Sequence, residues 1–167
     1  MKTSARIRPA VKSDCPAILE VMFSTPMSRE SSWWLNTVES LEAKLASGGG
    51  FVAEADGRIV GCVMHVVSDT DLVLRGLAVR PEFENRGIGT ALVEAVETKA
   101  RARDLPRVLL AVSASNLEVC DYIPTSGVRR QRRTLRARRS GTPGTGGVHQ
   151  GTVTRHLPEV VRAAPPA

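Results

Sequence analysis

Apolar and polar positions change period several times along the first 123 residues, and each change marks an element. The stretch Ala5-Arg6-Ile7-Arg8-Pro9-Ala10 alternates briefly and predicts a short strand closed by proline. Ser13-Asp14 then caps a helix that carries Ile18, Leu19 and Met22 on one face. After a polar stretch with Trp33-Trp34, Val38, Leu41 and Leu45 predict a second helix over 37–46, ended by Gly48-Gly49-Gly50. Two β-rich runs, 51–55 and 58–67, flank Asp56-Gly57, the pair whose two-residue turn matches the twist of paired strands. A third strand over 71–79 completes an antiparallel meander. The clearest helix follows, with Ile88, Ala91, Leu92, Ala95 and Val96 at i, i+3, i+4, i+7 and i+8. Residues 106–112 read as a buried strand, so the helix before them makes a βαβ unit, and Ser115 caps a last short helix through Tyr122. The order β-α-α-β-β-β-α-β-α predicts an α+β domain, a mixed and mostly antiparallel sheet with flanking helices.

Past Gly127 this patterning collapses. Residues 1–123 hold 14 Lys plus Arg against 16 Asp plus Glu, a net charge of −2, whereas 124–167 hold 9 Arg and a single acid, Glu159, a net +8. The basic balance of the whole chain, +6, therefore belongs to the ending and says nothing about the domain. The expected division is a domain over 1–123 and a basic Arg/Gly/Pro/Thr-rich tail over 124–167 that is structureless, since it has no aromatic residue and little to bury. Three readings of its arginine run stay open: an arm for nucleic acid or an acidic partner, a solvated tail, and a shift of reading frame near residue 120.

Other features narrow the class. The longest apolar stretch, 59–67, is too short for a membrane span of about 20 residues, and the start has no apolar run of the kind a secretory leader carries. With Cys15, Cys62 and Cys120 in no Cys-x-x-Cys pair, a reduced, cytoplasmic protein is expected, and no metal site is read. Aromatics make up 4% of the chain, too few for a base-stacking surface.

The chemistry concentrates in Leu77-Ala78-Val79-Arg80-Pro81-Glu82-Phe83-Glu84-Asn85-Arg86-Gly87-Ile88-Gly89-Thr90. A strand ends, a loop with two glycines turns, and a long helix begins at once. The first N–H groups of a helix lack intrahelical partners and its dipole makes that end positive, which suits a phosphate or pyrophosphate. A Walker loop would need a lysine here, and a Rossmann fingerprint a third glycine where Leu92 stands.

The string resembles the acetyl-CoA-binding motif of the GNAT N-acetyltransferases, Gln/Arg-x-x-Gly-x-Gly/Ala, which falls on Glu84-Asn85-Arg86-Gly87-Ile88-Gly89. The resemblance covers about residues 5–123 and implies the acyl-CoA N-acyltransferase-like fold, with acetyl-CoA as co-substrate and no metal. It implies a transferase, an acyltransferase for groups other than amino-acyl groups, moving acetyl to a primary amine by direct attack. The cofactor-binding set it implies is Leu77, Ala78, Val79, Glu84, Asn85, Arg86, Gly87, Ile88, Gly89 and Thr90, with Asn116 beside the pantetheine arm. Glu84 stands where the family has Gln or Arg. A carboxylate ~7 Å from a pyrophosphate at an effective dielectric near 20 costs on the order of 2 kcal/mol, which Arg86 offsets if it points inward. Beyond Asn116 the chain departs further: Ile123 takes the place of the family's tyrosine, Tyr122 lies one residue early, and the C-terminal strands are expected to be missing or altered.

Such a transfer needs a base for the amine and an acid for the departing thiolate. Asp71 is the expected base, with Asp69 and Glu84 behind it, and Tyr122 the expected acid. His65 reads as a structural histidine, Trp33-Trp34 as packing or as an apolar wall for the acceptor, and Cys120 lacks a histidine partner for an acyl-enzyme. The implied partner is a small-molecule or peptide amine acceptor, with a homodimer compatible, no membrane, and nucleic acid only through the tail. A degenerate acyl-CoA-binding protein without catalysis, or a basic-tailed binding protein, is the other function class.

Overall fold

The computed structural model describes residues 5–26, 32–69, 71–113, 128–129 and 150–156. Strand β1 (Arg6–Pro9) leads through a 3-10 turn (Lys12–Asp14) into α1 (Cys15–Ser24), and a second 3-10 turn (Ser32–Leu35) leads into α2 (Val38–Ser47). The meander is β2 (Gly49–Ala55), β3 (Arg58–Ser68) and β4 (Asp71–Val79), followed by α3 (Ile88–Ala102) and β5 (Arg107–Ser113). With β6 (Val128–Arg129) and β7 (Gln150–His156), the sheet runs β1-β2-β3-β4-β5-β7-β6, antiparallel throughout except for the parallel pair β4–β5 that α3 connects.

The elements form for the local reasons the sequence offers. At the β2–β3 turn Asp56 and Gly57 both take positive φ, 52° and 74°, as a two-residue hairpin with native twist requires. Thr37 caps α2 reciprocally: its hydroxyl accepts from the Ser40 amide while Ser40 Oγ accepts from the Thr37 amide. Asp14 differs from its expected role as a helix cap. Its carboxylate accepts from the Val11 amide and, in a two-point contact at 2.7 and 3.0 Å, from Arg8, whose Nε also donates to Glu54. The pairing joins β1, the first turn and β2, so long-range charge complementarity took the side chain that the local rule assigned to the helix end.

The sheet is covered on both faces. One face packs Val60, Val63, Leu72 and Leu74 against Ile88, Leu92, Val93, Val96 and Ala100 of α3. The other packs Val52, Cys62 and Ala78 against Cys15, Ile18, Val21 and Met22 of α1 and Leu41 of α2. Each such side chain stabilises the fold by about 1.5–3 kcal/mol relative to exposure for Val, Leu or Ile, so α3 is fixed firmly on the sheet. That fixes where its first turn lies relative to the end of β4.

The ending is altered rather than absent. Backbone of Val128–Arg129 (β6) and Gln150–His156 (β7), stretches assigned above to a structureless tail, joins the sheet, β7 antiparallel to β5 from Arg107↔His156 to Ser113↔Gln150. The run Thr152-Val153-Thr154 is β-branched but too short to stand out between glycines and charges, and a long-range partner, β5, completes it. The expected helix after Ser115 lies outside the described residues.

His65, facing Gly49 across the β2–β3 pair, is 5% exposed on the α3 side, its ring 5.7 Å from that of Phe51. Its Nδ1 has no hydrogen-bond partner among the described residues. Burial first, then the charges of Lys99 and Arg103, hold its pKa below the ordinary 6.5. The fold thus favours neutral His65, so its stabilising contribution is present above pH 6.5 and is lost as pH falls through the lowered value. Melting temperature should fall between pH 7 and 5 more steeply in the wild type than in His65→Leu. Parallel curves for the two proteins would exclude this coupling.

Candidate active site

The register between β3 and β4 slips in one place. Cys62 faces Ala78 and Met64 faces Arg75, so Gly76 and Leu77 together oppose Val63. Gly76 sits at φ +61°, the left-handed conformation of a glycine-first bulge. A bulge bends its strand, and here the bend has a visible result. The parallel pairing of β4 with β5 runs from Asp71↔Arg107 to Leu74↔Leu110. Beyond that point β4 stays with β3 through Val79, while β5 continues beside β7 to Ser113. The two central strands part, and among the described residues the edge of β4 at Leu77, Ala78 and Val79 faces a wedge with no strand in it.

The end of that edge leads into α3. Arg80 closes the strand: its amide donates to Val60 O at 2.8 Å, its Nε to Ile59 O, and its terminal nitrogen pairs with Glu20 of α1. A 3-10 turn (Pro81–Phe83) buries Phe83, and Asn85 and Gly87 take φ of +58° and +79° before the helix begins. The Ala91 amide makes the first intrahelical bond, to Gly87 O, so the N–H groups of Ile88, Gly89 and Thr90 precede the helix's own ladder. A Cβ added to Gly87 would meet nothing within 4 Å, and one added to Gly89 would lie 3.9 Å from Val79 Cγ2. Among the described residues, the space over Gly87 is open beside the backbone donors of the helix start, and Gly89 lies next to Val79 at the end of β4. An extended ligand with a diphosphate at one end and amides at the other fits these features: donors at the helix start, unpaired peptide groups along the strand.

The structure brings Leu77, Ala78, Val79, Glu84, Asn85, Arg86, Gly87, Ile88, Gly89 and Thr90 together at this junction. Arg86 is placed against Phe83. Its guanidinium lies 4.9 Å from the Phe83 ring centroid, with Arg58 at 5.2 Å from the same ring, and it donates to Glu82 O at 2.9 Å. The buried ring and the Glu82 carbonyl both hold this guanidinium. Asn116, Tyr122 and Cys120 lie outside the described residues.

Asp71 is not at the junction. It begins β4, five residues before Gly76 or ~16 Å along the strand at ~3.3 Å per residue. Both of its oxygens accept from Arg107, at 2.7 and 3.0 Å. That two-point pair pins β4 to β5 just where they remain joined, a positioning role in place of the expected base. Asp69, at φ +51°, forms the β3–β4 turn. Phe23 and Trp34 stack with ring centroids 5.4 Å apart, both partly exposed, at the C-terminal end of α1. Two residues carry more than the sequence reading gave them. Gly76, a glycine inside a strand pattern, is the local signal of the bulge. Cys62, fully buried, donates its thiol to Gly76 O at 3.7 Å, and burial pushes its pKa up to about 12, which leaves it protonated and no nucleophile.

A family model described as "Acetyltransferase (GNAT) family" matches residues 10–124. The chain belongs to the GNAT acetyltransferase family. Within curated proteins it is 30% identical over 125 residues to the amino-acid acetyltransferase of Pseudomonas fluorescens, a match covering 72% of this chain and 28% of that protein. The chain spans under half the length of the curated relatives it first matches. Its fold is similar to that of the PaiA N-acetyltransferase from Thermoplasma acidophilum in complex with coenzyme A, with TM-score 0.71, 18% identity, and coverage of 92% of this chain and 99% of that one. A GNAT family acetyltransferase from Elizabethkingia anophelis with acetyl-CoA bound gives TM-score 0.61 at 19% identity, over 92% and 98% of the two chains. The GNAT fold is thus fixed by comparison as well as by topology. Among the described residues there is no group of three potential metal-ligating side chains, and no helix is long and apolar enough to cross a membrane.

The bulge can be tested directly. The nearest atoms to a Cβ on Gly76 are Met64 Cγ at 3.6 Å and Met22 Cε at 3.9 Å, ordinary contacts. Gly76→Ala should therefore cost only its left-handed backbone, about 1 kcal/mol, or roughly 2–4 °C in melting temperature. Calorimetry that finds no loss would mean that the bulge does not depend on glycine.

Proposed function

We propose that this protein transfers the acetyl group of acetyl-CoA to a primary amine by direct attack. The observation that carries the reading is the freed edge of β4 beyond Gly76, which runs straight into the glycine-flanked start of α3. Acetyl-CoA supplies an acyl carbon activated by a thiol leaving group. The chain's own residues hold and orient it. The N–H groups from Gly87 to Thr90 cradle the pyrophosphate, each charge-assisted bond contributing about 1.5–3 kcal/mol. Peptide groups of Leu77, Ala78 and Val79 pair with the pantetheine amides as a neighbouring strand would. A backbone N–H at the bulge takes the negative charge that develops on the carbonyl oxygen.

The protons balance simply. The ammonium of the acceptor first loses one proton to water, since Asp71 is committed to Arg107. The neutral nitrogen then forms the C–N bond as the C–S bond breaks, and the second proton goes to the departing thiolate. Tyr122 is the group proposed to deliver that proton, and Asn116 to flank the pantetheine arm, both carried over from the family resemblance. Glu84 opposes the pyrophosphate, so cofactor affinity here is expected to be weaker than a Gln or Arg at that position would give.

Thermal unfolding of the full chain with acetyl-CoA tests this reading, with inorganic pyrophosphate as the control anion. At 100 times the dissociation constant the ligand should add about 2.7 kcal/mol, a shift of roughly 5–10 °C. Gly87→Val should abolish most of the shift, because its side chain fills the open space over the helix start. Equal shifts with pyrophosphate alone would reduce the site to a general anion cradle, and no shift would make the chain a remnant without its cofactor.

A further inference from the structure

The arginines around the wedge are spoken for, with one exception. Arg58 pairs with Glu82, Arg80 with Glu20 and Ile59 O, and Arg107 with both oxygens of Asp71. Arg75 is exposed and makes no ion pair or hydrogen bond among the described residues. It is also the basic residue of β4, and it immediately precedes the Gly76 bulge. Its cross-strand partner is Met64, and such partners share a face of the sheet. Met64 and Met22 of α1 are the atoms nearest to a Cβ on Gly76, so that face is the α1 side, opposite α3.

These positions divide the wedge into two approaches. The α3 side offers backbone donors to a phosphate. The α1 side, where Arg75 stands, is left for the acceptor. The Arg75 guanidinium is exposed here with no partner among the described residues, and a carboxylate would satisfy its donors by a two-point contact. The end of α1 that Met22 brings to Gly76 also carries the partly exposed Phe23–Trp34 pair, an apolar surface next to the cation.

We propose that Arg75 selects the acceptor, binding the carboxylate of an amine that also has an apolar body, such as an apolar or aromatic amino acid. The assignment rests on the acetyltransferase reading above and adds the substrate class to it. Arg75 would hold the carboxylate and thereby orient the neighbouring amine toward the acyl carbon at the bulge.

Matched acceptors isolate the carboxylate: L-phenylalanine against L-phenylalaninamide, and L-leucine against L-leucinamide, with acetyl-CoA and the full chain. The carboxylates should be used with kcat/KM at least tenfold above the amides. In Arg75→Gln that ratio should fall to about one through a higher KM for the carboxylates, with the KM for acetyl-CoA unchanged, and Arg75→Lys should recover part of it. A second readout avoids turnover: with coenzyme A present, L-phenylalanine should raise the melting temperature of the wild type and leave Arg75→Gln unmoved. If acetyl-CoA shifts the wild type but the carboxylates show no advantage, or keep it in Arg75→Gln, the role of Arg75 is overturned while the acetyltransferase reading stands. Absence of any acetyl-CoA shift would overturn both.

Discussion

The site depends on where β4 stops following β5. A central strand bonded on both sides has no peptide groups to offer a ligand, since buried amides and carbonyls are almost always paired. Gly76 changes this by taking the left-handed conformation and inserting an extra residue opposite Val63. The strand keeps β3 as its partner and gives up β5 after Leu74. Its next three peptide groups then become a half-built ladder, and a ligand with amides of its own can complete it.

Two sets of contacts keep the opening in place. Below it, Arg107 grips Asp71 and holds β4 and β5 together where they still pair. Beside it, Arg80 ties the end of β4 to β3 and α1, while α3 is fixed by Leu92, Val93 and Val96 on the sheet. The helix start is therefore placed against the strand edge by rigid packing. The loop between them contributes two left-handed residues, Asn85 and Gly87, and a buried phenylalanine with an arginine on it. A transfer reaction gains from such rigidity, because its donors need not reorganise when charge develops.

The same contacts explain why charge is used so unevenly. Arginines in this domain act mostly as staples: Arg8 to Asp14 and Glu54, Arg58 to Glu82, Arg80 to Glu20, Arg107 to Asp71. Exposed pairs such as Arg58–Glu82 contribute little to stability, about 0–1 kcal/mol. Their effect is to orient segments. Arg75, exposed at the mouth of the wedge, has no such pair among the described residues, and its location there gives it chemical meaning.

Much of this was written in local patterns. Period 3.6 marked α3, period two and Asp56-Gly57 marked the hairpin, and the glycines at 87 and 89 marked the helix start as an anion cradle, because each of these signals involves residues within a turn or two of one another. Apart from the glycine bulge at Gly76, the parts that pattern reading missed join distant positions. Asp71 reads as a free strand-end carboxylate until β5 brings Arg107 to it. The strand Gln150–His156 looked structureless because β5, some forty residues earlier in the chain, supplies its pairing. The sequence by itself determined the elements, their order and the phosphate-cradling turn, since helix and strand periods and left-handed glycines are properties of neighbouring residues. Only the tertiary structure decided the wedge, the pairing of Asp14 and Asp71 and the face of the sheet that Arg75 shares, because strand register and ion pairing are settled between segments that meet only when the sheet closes.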